Sequence, residues 1–106
     1  MGIDEKLIQE IVRRILSVTR PDKIILFGSA ATGHMTRDSD IDLLIVEPEV
    51  SDQHEQYVRI REAVGSIGYP VDLLFISTEW FEDSKDIIGG IAYPASKYGR
   101  TIYEAA

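Results

Sequence analysis

The chain of 106 residues contains no cysteine. Disulfides, zinc–thiolate sites and thiol nucleophiles are therefore excluded, and a reducing compartment fits. It has no apolar run near the roughly 20 residues that cross a bilayer. Its opening "MGIDEKLIQE" lacks the basic-then-apolar layout of a secretory signal. Both absences predict a cytoplasmic location. Positive charge is scarce as well: eleven Lys and Arg stand against eighteen Asp and Glu, giving a formal net charge of -7, and the basic residues are scattered. Tracking along a phosphate backbone rests on clustered positive charge, so strong nucleic-acid binding is disfavoured. A single nucleotide stays compatible, because a metal ion neutralises phosphates locally. No repeat, low-complexity tract or linker divides the sequence.

What is present suits one compact domain spanning 1–106, with 44% hydrophobic and 27% charged residues. The burial available to a domain this short is modest, so a partner protein or self-association is expected to complete its functional surface. Ile3, Leu7, Ile8, Ile11, Val12, Ile15 and Leu16 recur at helical spacing before Pro21. "KIILF" at 23–27 reads as a short buried strand stopped by Gly28. A second strand starts near Asp40 and ends before Pro48. The dozen residues between them are few for a parallel crossover, which favours an antiparallel or looped connection. Tyr57, Ile60, Val64 and Ile67 predict a second helix over 52–67, closed by Gly68 and Pro70. "VDLLFI" at 71–76 is a third strand, Ser77 or Thr78 a helix N-cap, and "RTIYE" a final edge strand. The class is α/β in the α+β sense: a single mixed sheet with helices packed on it.

Two charges inside an apolar strand call for an explanation. Side chains alternate along a strand, so Asp40 and Asp42 share one face while Ile41 and Leu43 take the other. Converging carboxylates repel and raise a pKa unless a cation sits between them. Magnesium fits, since it takes one or two carboxylates and lets substrate phosphates complete its shell. Asp72 lies in the similar apolar setting "YPVDLLFIS". If the two strands are neighbours, the three acids can bind two metals about 4 Å apart, the spacing used in displacement at phosphorus. At the end of the first strand, Gly28 permits close approach of a phosphate, and the Ser29 hydroxyl with the following N–H groups can donate to it.

Gly28-Ser29, ten residues, Asp40-x-Asp42 and a later strand bearing Asp72 together resemble the minimal nucleotidyltransferases of the DNA polymerase beta superfamily. A terminal "GRTIYE" at 99–104 looks like the usual ending of these small domains. The resemblance implies the polymerase-beta-like nucleotidyltransferase fold and a magnesium-dependent transfer of a nucleoside monophosphate. Asp40 and Asp42 would hold both metals, Asp72 would ligate the second and help take the acceptor proton, and Gly28 and Ser29 would hold phosphates. The acceptor would attack the α-phosphorus of ATP or another nucleoside triphosphate, releasing pyrophosphate. One departure stands out: where many relatives carry arginines after Gly-Ser, this chain has Ala30 and Thr32, with Arg37 or His34 as loop substitutes.

Stand-alone domains of this kind resemble the antitoxin of paired systems whose toxin is a HEPN-type helical ribonuclease. That resemblance implies transfer of AMP to a tyrosine of the toxin. The competing readings are a catalytically weak nucleotide-binding module that inhibits its partner by occlusion, and a small-molecule adenylyltransferase, which would need a substrate domain. Elsewhere, Asp38 reads as a loop residue and His34 and His54 as solvent-facing. Trp80-Phe81 read as core, and Tyr93, Tyr98 and Tyr103 as packing residues.

Overall fold

The computed structural model describes residues 4–33, 39–49 and 52–106. The first helix, α1 (Glu5–Leu16), begins where the Asp4 side chain accepts a hydrogen bond of 2.8 Å from the Lys6 N–H. Its buried stripe is Ile8, Ile11 and Ile15. Ile3, the first apolar residue of the expected stripe, lies outside the described residues. Strand β1 (Lys23–Phe27) follows, then a single helical turn, α2 (Ser29–Thr32), and strand β2 (Ile41–Glu47). Helix α3 (Gln53–Val64) leads to β3 (Val71–Ser77), α4 (Thr78–Ser84), α5 (Ala92–Tyr98) and β4 (Arg100–Glu104).

The four strands form one sheet in the order β3-β2-β1-β4. β1 runs antiparallel to both β2 and β4, while β2 and β3 run parallel. The mixed sheet, the antiparallel β1–β2 connection and the terminal edge strand agree with the reading of the sequence. Helices cover both faces. On one, Ile24, Leu26, Ile41, Leu43, Ile45, Val71 and Leu73 pack with Ile8, Ile11 and Ile15 of α1 and with Ile60 and Val64 of α3. On the other, Ile25, Leu44, Val46 and Ile76 pack with Phe81 of α4 and with Ala92 and Ala95 of α5. β2 is buried on both faces, which explains its near-continuous apolar run.

Three expectations need correction. Helix α3 stops at Val64, not at 67, because Gly65 takes φ 63° and its N–H returns to the Arg61 carbonyl. A backbone that turns left-handed there cannot carry the helix to Gly68. The Trp80-Phe81 pair splits, since neighbouring positions of a helix point apart: Phe81 enters the core and Trp80 is 65% exposed. Tyr98 is 61% exposed at the end of α5 rather than packed, whereas Tyr103 does pack against the α1 side of the core. His54 is exposed as expected, and His34, Arg37 and Asp38 fall outside the described residues.

Candidate active site

Strand pairing brings the end of β1 and the starts of β2 and β3 to one edge of the sheet. In the register, Phe27 faces Asp42 and Asp42 faces Asp72. Two hydrogen bonds support this: Ile41 N–H donates to the Pro70 carbonyl at 2.8 Å, and the side-chain Nη1 of Arg61 on α3 donates to the Val71 carbonyl at 2.9 Å. These two bonds fix where β3 starts relative to β2, and so set the two aspartates side by side on the α4–α5 face. Asp40 immediately precedes β2 rather than lying within it. It remains close enough to act on Asp42 electrostatically.

Asp42 is half-buried, and its pKa is raised above the ordinary value of 3.8. Burial is the largest cause, followed by the charges of the neighbouring Asp72 and Asp40 carboxylates. Neighbouring carboxyls that repel in this way are relieved by a proton or by an external cation. Asp72, on edge strand β3, is exposed, so this pair opens to solvent on one side.

Gly28 closes the other side. Its φ of 72° and ψ of -153° belong to a region that is essentially restricted to glycine. A Cβ at this position would run into Asp42 Oδ2. Its carbonyl accepts from Ala31 N–H at 3.1 Å and Thr32 N–H at 3.3 Å, starting α2. The first N–H groups of such a turn have no acceptor four residues back within the helix and can face an anion. Ser29 is half-buried at that turn. Ala30 is buried in the α1–α3 core, so a long cationic side chain has no room there, while Thr32 is exposed with its hydroxyl on the Gly28 and Ser29 carbonyls at 3.4 Å.

The structure thus brings together Gly28, Asp42 and Asp72, with Asp40 at the rim. Among the described residues no group of three acids is gathered into a ready metal cage. The donor chemistry still suits magnesium, which needs only one or two carboxylates when phosphates supply the rest. The raised Asp42 carboxyl, paired in register with Asp72, marks a place where a divalent cation would relieve repulsion.

Two residues escaped the reading of the sequence: Arg61 beside this edge, and Glu47 at the far end of β2. Arg61, which holds the start of β3, gives no local signal, because its acceptor is ten residues away on another element. Glu47 does give one, an acid closing the apolar run Ile41–Val46. It is only 4% exposed, burial raises its pKa above 4.5, and its Oε2 accepts from Gln56 Nε2 at 2.9 Å.

Comparison with known proteins agrees with this geometry. The model of the nucleotidyltransferase domain matches residues 5–92. A "putative protein adenylyltransferase" of Methanocaldococcus jannaschii is 53% identical over 45 residues. The match takes in 41% of this chain and 45% of that protein, so the chain corresponds to less than half the length of this relative. Among solved structures, a toxin–antitoxin crystallised with AMP-PNP superposes with a TM-score of 0.63 at 20% identity, over 92% of this chain and 73% of that one. A "putative nucleotidyltransferase" from Sulfolobus solfataricus gives the same TM-score and identity over 93% and 78%. At that identity the two structures speak for the fold.

Proposed function

We propose, for a chain that belongs to the nucleotidyltransferase domain family, that it moves AMP from ATP onto a hydroxyl of a partner protein, a tyrosine of a HEPN-type toxin, and so acts as the antitoxin of a pair. One observation carries the chemistry: Asp42 and Asp72 lie opposite each other at a sheet edge where Gly28 lets backbone come against the Asp42 carboxylate. The adenine nucleotide and the protein acceptor are taken from the relatives, one named for protein adenylylation and one a toxin–antitoxin holding AMP-PNP. A reaction that consumes ATP fits a cytoplasmic location.

Magnesium held by Asp40, Asp42 and Asp72, as two ions in this reading, would neutralise phosphate charge and polarise the reacting oxygens. The remaining work belongs to the chain. Gly28 and the N–H groups from Ser29 onward receive the terminal phosphates at this turn, while the Cβ that Gly28 lacks leaves room for the Asp42 carboxylate. Asp72, open to solvent on the edge strand, faces the incoming hydroxyl and accepts its proton. The tyrosine oxygen bonds to the α-phosphorus, the α–β phosphoanhydride bond breaks, and pyrophosphate leaves with that electron pair. Asp42, enclosed by Gly28 and Asp72, holds the geometry on the protein side.

The test is label transfer from α-labelled ATP with magnesium to a co-expressed helical toxin, with γ-labelled ATP as control. Label is expected from the α position only, and Asp42→Asn is expected to reduce it about a hundredfold or more. Nucleotide binding without any transfer, with inhibition of the toxin intact, would replace this reading by an occluding module. The buried alanine at position 30, where relatives carry a cation, is the feature that favours that outcome.

A further inference from the structure

The segment from α4 to the start of α5 exposes an apolar surface that the active site does not use. Trp80 is 65% exposed, Ile87 63% and Ile88 79%. With Gly89, Gly90 and Ile91 they line an apolar groove of about 490 Å³. This ledge is held in place: Ile87 N–H donates to the Ser84 carbonyl at 3.0 Å, Ile88 bridges to Gly90, and Ile91 packs against the core below. Two adjacent exposed isoleucines beside an exposed tryptophan form a patch of the kind that marks an interaction site.

The rim of the groove identifies its occupant. Asp83 lines the groove, and the flanking segment 79–86 carries three further acids, Glu79, Glu82 and Asp86, against one lysine. Lys85 is taken by Glu82 at 2.7 Å, and Glu82 also meets Lys23 at 3.6 Å. Glu79, Asp83 and Asp86 have no ion pair within 4.0 Å among the described residues. A second copy of the chain is a poor fit, because a two-fold contact would set Asp83 and Asp86 against acids of the same rim, in a chain already at -7. An anionic lipid surface is repelled for the same reason.

We infer that this groove docks a partner protein through an amphipathic helix whose apolar ridge is flanked by Lys and Arg. The inference rests on the partner-protein reading above and gives that partner's contact a location and a charge. α4 packs on the sheet face that carries Asp42 and Asp72, and it leaves β3 at Ser77, five residues from Asp72. That is roughly 17 Å along a strand, the length of about eleven helical residues. The groove captures the acceptor at a distance from the chemistry and orients it toward the acids.

Trp80 is the sole tryptophan, so its fluorescence reports occupancy directly. The probe is a synthetic helical peptide of leucine and lysine at amphipathic spacing, and its control is the same peptide with glutamate for lysine. Titration of the full chain with the lysine peptide is expected to move Trp80 emission to the blue and to saturate. Asp83→Lys with Asp86→Lys is expected to weaken binding at least about tenfold. Glu55→Lys with Glu62→Lys, on the α3 face, and Asp42→Asn are both expected to leave it unchanged. Ile88→Asp, at a position too exposed to disturb folding, is expected to abolish the shift. Equal binding of the glutamate peptide, or equal weakening by the α3 charges, overturns the proposal, as does a blue shift that follows protein concentration alone together with dimer in sedimentation. Loss of label transfer with peptide binding intact defeats the chemical reading and leaves the docking surface standing.

Discussion

Gly28 and Asp42 constrain one another at the level of single atoms. The carboxylate occupies the space a Cβ would need, and the backbone at Gly28 takes a conformation that other residues adopt only with strain. Gly28→Ala is therefore expected to cost about 1–3 kcal/mol of stability and to remove activity by displacing Asp42, which thermal unfolding and label transfer would both register. Asp42→Asn has the opposite structural effect. The folded state holds the Asp42 proton more tightly than the unfolded chain, so its contribution is fully present below pH 3.8 and is lost as pH rises through the raised folded value. At neutral pH the ionised group is a cost, and Asn relieves a cross-strand repulsion of up to about 1 kcal/mol. Higher melting temperature with lost transfer is the expected pair of results; lower stability would mean that the carboxyl–carboxyl contact is stabilising. Glu47 follows the same sign from 4.5 upward. Its Oε1 and Gln56 Oε1 are buried without a hydrogen-bond partner among the described residues. Glu47→Gln keeps an acceptor for Gln56 and adds a donor, so it should raise stability at pH 7 by about 1 kcal/mol and flatten the fall in stability above pH 4.5.

At the scale of elements, the site depends on where β3 begins. Pro70 supplies a carbonyl to Ile41, and Arg61 reaches from α3 to the Val71 carbonyl. Hydrogen bonds to charged groups contribute about 1.5–3 kcal/mol. Arg61→Met, which retains most of the apolar stem, is expected to cost stability in that range. It should also lower kcat more than it raises the nucleotide KM, since it loosens Asp72 without touching the phosphate turn. An unchanged kcat would show that β2 alone sets the register. The elements themselves were largely readable: periodicity located α1, β-branched runs located the strands, and Ser77 acts as the N-cap of α4 by accepting from Trp80 N–H at 3.1 Å. The end of α3 was misread because Ile67 continues the apolar spacing beyond Gly65, and spacing carries no information about a glycine's φ. Trp80 was misread for a related reason: adjacency in sequence does not mean a shared face on a helix.

For the whole molecule, charge sets the response to ligand. A chain at -7 whose candidate site pairs Asp42 with Asp72, with Asp40 at the rim, repels a bare triphosphate, so ATP and magnesium should stabilise it together far more than either does alone. At a hundredfold over the Kd, that stabilisation is about 2.7 kcal/mol. A comparable thermal shift with ATP in chelator would exclude the metal-linked reading.

The sequence by itself determined most of the element types and their order, the mixed sheet, and the aspartates and glycine of the candidate site, because these follow from periodicity, β-branching and the cost of placing acids in apolar strands; it left the segment after Gly89, where α5 lies, undecided. Only the tertiary structure decided that β2 and β3 run parallel in a register that sets Asp42 against Asp72, that Gly28 leaves room for the Asp42 carboxylate, and that Trp80 and Ile88 face solvent. Register and facing are settled by contacts between residues distant in the chain, and local patterning fixes which residues seek burial without fixing which neighbours they find.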